Sequence, residues 1–214
     1  MLQKKDLVDA PCCAYVIGEI GVGKTTFLDL LISYEKWLHQ RFGLEGKIFN
    51  TFKEDLPPYW EDYKTHRDKE IIHESIYDAQ IWFARQKIGI IRGAAGLDEQ
   101  CNKIIPDTRG SGFYFVDRTL HEDFYVFAEG MRNLFPEGKY QAYLDEVKAS
   151  LEVLPHPDLV IRLRVKNPAV SKARAENRGY GEHHPLSRYH KIAEDYSEHI
   201  DTWIKGLGVP VIDI

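Results

Sequence analysis

The chain has 214 residues, 43% of them apolar, enough to bury one substantial core and to form one domain or at most two. Its 28 Lys and Arg stand against 33 Asp and Glu, and the net charge of −5 excludes a general attraction to nucleic acid or anionic lipid, so any polyanion must be held locally. Cys12, Cys13 and Cys101 form no C-x-x-C pair, and the N-terminus (MLQKKDLVDA) is too polar for a signal sequence. No run approaches about 18 apolar residues, so the expectation is a cytoplasmic protein in a reducing compartment with no membrane partner.

The first predicted element is a short apolar strand, AYVIG (14–18), followed by GEIGVGKTT (18–26) and an amphipathic stretch, FLDLLISYEKWL. The loop fits G-x-x-x-x-G-K-[ST] between a strand and a helix, the pattern that cradles phosphates. Gly18, Gly21 and Gly23 allow the tight turn, so that backbone N–H groups and a helix N-terminus face anionic oxygens. Lys24 offers a point charge to the outer phosphates. The Thr25 hydroxyl is placed to ligate Mg²⁺ between the outer phosphates of ATP, with Thr26 beside it.

A second strand is predicted at KIFNTF (47–52) and a third at GFYFVDR (112–118). At the carboxyl end of the third, Asp117 and Arg118 stand together, and in open α/β sheets ligands gather outside the carboxyl ends of the strands. A carboxylate there can hold a metal or its waters, and an arginine can hold the phosphoryl group or the oxygen that attacks it. Tyr140, Tyr143, Leu144, Val147 and Leu151 predict a helix over 139–153 with one buried face. The fourth strand is DLVIRLRV (158–165), Asn167-Pro168 predicts a helix start, and VPVIDI (209–214) is a fifth candidate strand. Alternation of this kind predicts an α/β fold with about five parallel strands and helices on both faces, in one domain spanning 1–214.

DRTLHEDFYVFAE (117–129) resembles the D/E-R-S/T motif and following helix of the deoxynucleoside kinases, most of all the bacterial purine deoxynucleoside kinases. Three more landmarks fall in the family's order: KEDLPPYW with Glu54 and Trp60, YDAQIWFARQK, and RLRVKNPAVSKARAENRGYGEHHPLSRYHKI. The resemblance covers most of the chain. It implies a P-loop kinase fold with an arginine-rich lid at about 172–184, and transfer of the outer phosphate of ATP, with Mg²⁺, to the 5′-hydroxyl of a deoxynucleoside.

The resemblance also implies roles. Glu54 matches the general base for the 5′-hydroxyl, but Asp55 stands where the family usually has proline, which leaves open which acid faces the substrate. Lys24 and Arg118 would act with it on the transferring group. Gln80 matches the base-reading glutamine, and Lys87, seven residues on, shares its helix face. Asp123 matches the acidic position five residues after the motif arginine, so these groups suggest an amino-bearing base: adenine, cytosine or guanine. Phe83 would stack on the base or belong to the core. Lys172, Arg174 and Arg178 would meet the triphosphate, and Glu182 lies near a family glutamate that binds the sugar 3′-hydroxyl, one position from the expected site. His183 and His184 have no third ligand and receive no role. A homodimer joined through helices is implied as well.

Two other readings stay open at this level. A nucleoside monophosphate kinase of the thymidylate kinase type shares the loop and a D-R pair, and would need a further cation such as Arg109 or Arg85. A non-catalytic ATP-binding switch would have no use for Glu54, Gln80 and Asp123 together. The segment DEQCNKIIPDTRGS (98–111) is either a loop that shapes the pocket or a surface connection.

Overall fold

The computed structural model describes residues 12–43, 49–53, 57, 69–95, 113–177 and 189–214. Strand β1 (Cys12–Ile17) lies at the centre of a five-stranded sheet with β2 (Phe49–Phe52), β3 (Phe113–Asp117), β4 (Leu159–Arg162) and β5 (Val211–Asp213), in the order β2-β3-β1-β4-β5. Every pairing is parallel, with Val16 opposite Asp117 and Ile161 in register. All five expected strands are present. The fifth candidate joins the edge, where the backbone of Ile214 exchanges hydrogen bonds with Arg162 and Arg164.

Parallel strands buried on both faces need apolar residues at both parities, which is why β1 and β3 read as continuous apolar runs. Ala14 and Val16 point to one face and pack with Phe115, Ile161, Leu163 and Leu28 of α1 (Lys24–Phe42). Tyr15 and Ile17 point to the other, with Val116 and Val160. That second core is filled by α2 (Lys69–Ala95), α4 (Lys139–Val153) and α6 (Tyr189–Leu207) through Ile76, Tyr143, Val147 and Ile200. In α4 the expected stripe is inward: Tyr143 and Val147 are fully buried, and Tyr140, Leu144 and Leu151 pack at the margin of the core.

Between β3 and α4 the chain forms a short helix α3 (Leu120–Glu122), a π-helix (Asp123–Ala128) and a 3₁₀ turn (Arg132–Leu134). Helix α5 (Pro168–Asn177) starts where Asn167-Pro168 predicts, and the Asn167 side chain accepts the Ala169 N–H at 3.0 Å. Among the described residues no helix is long and apolar enough to cross a membrane. The fold leaves the carboxyl ends of β1 and β3 side by side, which is where the motif residues are.

Candidate active site

The loop after β1 takes the backbone shape its glycines permit. Gly18, Gly21 and Gly23 have φ of 146°, 78° and 109°. At Gly21 the need is steric as well as conformational, because a Cβ there would sit 2.3 Å from the Ser171 carbonyl oxygen of α5. Lys24, only 6% exposed, donates from Nζ to the carbonyls of Gly18 at 2.5 Å and Glu19 at 2.9 Å. Thr25 and Thr26 are exposed at the start of α1.

Helix α5 closes on the same loop. Arg174 donates to the Gly21 carbonyl at 3.2 Å, and the Ser171 hydroxyl lies 3.4 Å from a Glu19 carboxylate oxygen. Lys172, in contrast, is exposed and pairs with Glu176 one turn on. Of the two expected cations on α5, then, Arg174 is the one against the loop.

Asp117 and Arg118 end β3 and are both 8% exposed. The Arg118 N–H donates to the Val16 carbonyl at 2.9 Å, tying the motif to β1 just before the loop. Its φ of 65° is left-handed, uncommon without glycine and held here by the surroundings. The guanidinium lies 4.5 Å from the Phe127 ring centre and 3.9 Å from Glu122.

Glu122 is absent from the sequence expectations, yet its carboxylate is fully buried at the meeting point of these elements. Oε2 accepts the Thr119 N–H at 2.8 Å and Thr119 Oγ1 accepts the Glu122 N–H at 2.9 Å, a reciprocal capping box. Oε1 accepts the Tyr196 hydroxyl of α6 at 2.6 Å and faces the Gly18 N–H at 3.4 Å. Burial, and then the charge of Glu122, push the Tyr196 phenol well above its ordinary range, so it remains a donor. The T-x-x-E spacing was the available signal for Glu122, and the Tyr196, Ile200, Ile204 spacing for α6.

On α2 the expected base-reading residues share one face. Lys87 Nζ lies 2.5 Å from Asp123 Oδ2, with both side chains 2–3% exposed, and stands 5.6 Å from the Phe83 ring centre. The structure therefore joins two residues that the sequence named separately. Gln80 is buried nearby in sequence, and its Oε1 has no hydrogen-bond partner among the described residues. Phe83 is buried and belongs to the main core cluster. Arg85 points elsewhere: it is exposed and makes a two-pronged contact with Glu146 of α4 at 2.7 and 3.1 Å.

Glu54, Asp55, Trp60, Arg109, Arg178, Glu182, His183, His184 and the segment 98–111 lie outside the described residues. Among the described residues no three His, Cys, Asp or Glu side chains converge as a metal cluster. A hydroxyl (Thr25) and a carboxylate (Asp117) are hard oxygen donors of the kind Mg²⁺ takes when phosphate oxygens complete its shell.

Three solved structures of deoxyadenosine kinase from M. mycoides share this fold. The one with bound dATP is 20% identical with a TM-score of 0.60, covering 95% of this chain and 90% of that one. The one with products dCMP and a flexible dCDP gives 21% and 0.59, covering 94% and 89%. The one with bound dCTP gives 19% and 0.58, again with 94% and 89%. Sequence comparison with curated proteins gives no match. The family model for deoxynucleoside kinases matches residues 15–214, from within β1 to the last residue. Phosphate loop, D-R-T turn and buried Lys87–Asp123 pair thus sit in a chain that belongs to the deoxynucleoside kinase family, an enzyme that phosphorylates deoxynucleosides with a nucleotide as donor.

Proposed function

We propose that the enzyme transfers the outer phosphate of ATP, with Mg²⁺, to the 5′-hydroxyl of a deoxynucleoside carrying an amino-bearing base. The observation that carries the base preference is the buried Lys87–Asp123 pair on the same helix face as Gln80. A carboxylate with a cation beside it and an amide two turns away together accept from an exocyclic amine and donate to a ring nitrogen. The dATP, dCTP and dCMP bound in the M. mycoides deoxyadenosine kinases all carry such an amine, which supports the reading.

In this reading the loop N–H groups and Lys24 hold the outer phosphates. Exchanging the carbonyls of Gly18 and Glu19 for phosphate oxygens would let the Lys24 ammonium follow the ligand. Arg118 holds the transferring group against the attacking oxygen, while Glu54, with Asp55 as the alternative acid, accepts the 5′-hydroxyl proton. Thr25 and Asp117 would hold Mg²⁺, which supplies charge neutralisation across the outer phosphates. Residues 172–184 act as a lid within one domain: Arg174 already against the loop, Lys172 and Arg178 reaching the triphosphate, and Glu182 the sugar 3′-hydroxyl. A cytoplasmic homodimer completes the proposal.

The test is transfer of radiolabelled phosphate from ATP and Mg²⁺ to the four deoxynucleosides and their monophosphates, with Glu54→Gln alongside. The expected result is label on deoxyadenosine, deoxyguanosine or deoxycytidine, lost in Glu54→Gln. Label confined to thymidine would overturn the amino-base reading, and label confined to monophosphates would overturn the choice of acceptor.

A further inference from the structure

Glu122 divides its two oxygens between different tasks. The capping box needs only Oε2, which takes the Thr119 N–H. Oε1 faces three groups from three other places: the Tyr196 hydroxyl on α6 at 2.6 Å, the Gly18 N–H of the phosphate loop at 3.4 Å, and the Arg118 guanidinium at 3.9 Å. A carboxylate with no exposed surface is costly to bury, and these partners offset that cost. Two of them belong to the machinery of phosphoryl transfer.

We propose that Glu122 is a positioning residue for the reaction: through Oε1 it fixes the spacing between the first glycine of the phosphate loop and Arg118, and Tyr196 holds that oxygen in place. Gly18 and Arg118 are already linked through the main chain, because the Arg118 N–H bonds Val16 two residues before the loop. That main-chain link does not by itself set the side-chain torsions of the guanidinium. Contacts with the Phe127 face and with Glu122 restrict that turning. A phosphoryl group in flight needs both loop and arginine at once, and a misplacement of about 1 Å lowers the rate by about 10²-fold.

The discriminating variant is Glu122→Gln, because glutamine also serves at this position of a capping box. Its amide oxygen can replace Oε2, while its NH₂ turns a donor toward three donors. The proposal rests on the phosphoryl transfer described above, so kinetics are run with whichever donor and acceptor the wild-type enzyme uses best. The expected result for Glu122→Gln is a fall in kcat of about 10²-fold, with each KM within about 3-fold of wild type and the protein still folded at the assay temperature. Tyr196→Phe should lower kcat in the same direction by less, and the double variant should be no worse than Glu122→Gln alone. A loss of activity that follows only the loss of folded protein, or a rise in KM at constant kcat, would overturn the proposal. Should Glu122→Gln not fold, Tyr196→Phe decides: unchanged kcat refutes the role.

Discussion

Replacing Lys87 by methionine should destabilise the enzyme far more than an average core substitution, and adding Asp123→Leu should reverse most of that loss. At 2.5 Å, with an effective dielectric of about 20, the attraction between the two charges is roughly 6–7 kcal/mol. Desolvating two ions that are 2–3% exposed takes back much of it, so the intact pair adds little net stability. Removing one partner keeps the desolvation of the other and takes away the opposite charge that offsets most of it. That costs about 3–5 kcal/mol, or roughly 6–20 °C in melting temperature for a chain of this size. Removing both charges and keeping the volume leaves an apolar contact beside Phe83 and costs far less. Thermal melts and urea titrations of the two single variants and the double give the coupling energy directly. Additive losses, or single variants within about 1 kcal/mol of wild type, would refute the buried-pair reasoning. Assays on the deoxynucleoside panel then separate stability from selection: the double variant should fold and lose its preference among bases.

Gly21→Ala should lower nucleotide affinity and kcat/KM more than Gly23→Ala. Both positions have positive φ, but a methyl at Gly21 meets the Ser171 carbonyl at 2.3 Å whereas Gly23 faces open space, and equal effects in a binding titration would count against this account. Arg85→Ala should leave the kinetic constants unchanged and cost at most about 1 kcal/mol, since it removes an exposed pair with Glu146; a selective rise in KM for the acceptor would show that Arg85 reaches the substrate. His121 should make the fold sensitive to acid. Burial, and then His156, lower its pKa from 6.5 to about 4, so the unfolded chain takes up the proton first as pH falls. Stability is therefore full above pH 6.5 and declines toward pH 4, by at most about 3 kcal/mol, and His121→Phe, which keeps the stack on Trp203, should flatten that limb of a urea-midpoint profile.

What could be read from the sequence followed the range of the interaction involved. The central strands were legible because a parallel sheet covered on both faces requires unbroken apolar runs, and FYFV at 113–116 carries no polar interruption. The phosphate loop was legible because its glycines answer to local backbone geometry. The Lys87–Asp123 pair was half legible: each residue stood out by resemblance, but their contact spans 36 positions and depends on how α2 packs against the π-helix. Glu122 was missed because a glutamate three residues after a threonine reads as a local cap. Its other partners, Gly18 and Tyr196, lie 104 and 74 positions away. Pairings of that reach are settled by the tertiary fold, and no single-chain periodicity announces them.

The π-helix at 123–128 sets a limit on how this chain can change length. Its hydrogen bonds reach back five residues, as from the Glu129 N–H to the Phe124 carbonyl, so the segment holds one residue more than an α-helical path would. Deleting any one of its residues could be absorbed by tightening the turn, but the phase of one end against the other would then shift by about 100°. Asp123 at the start is turned toward Lys87, and Phe127 near the end lies beneath Arg118. A tightened helix could keep one of those orientations and would lose the other. Single-residue insertions and deletions should therefore be far less tolerated here than at the exposed start of α4, where the same change alters only a surface turn.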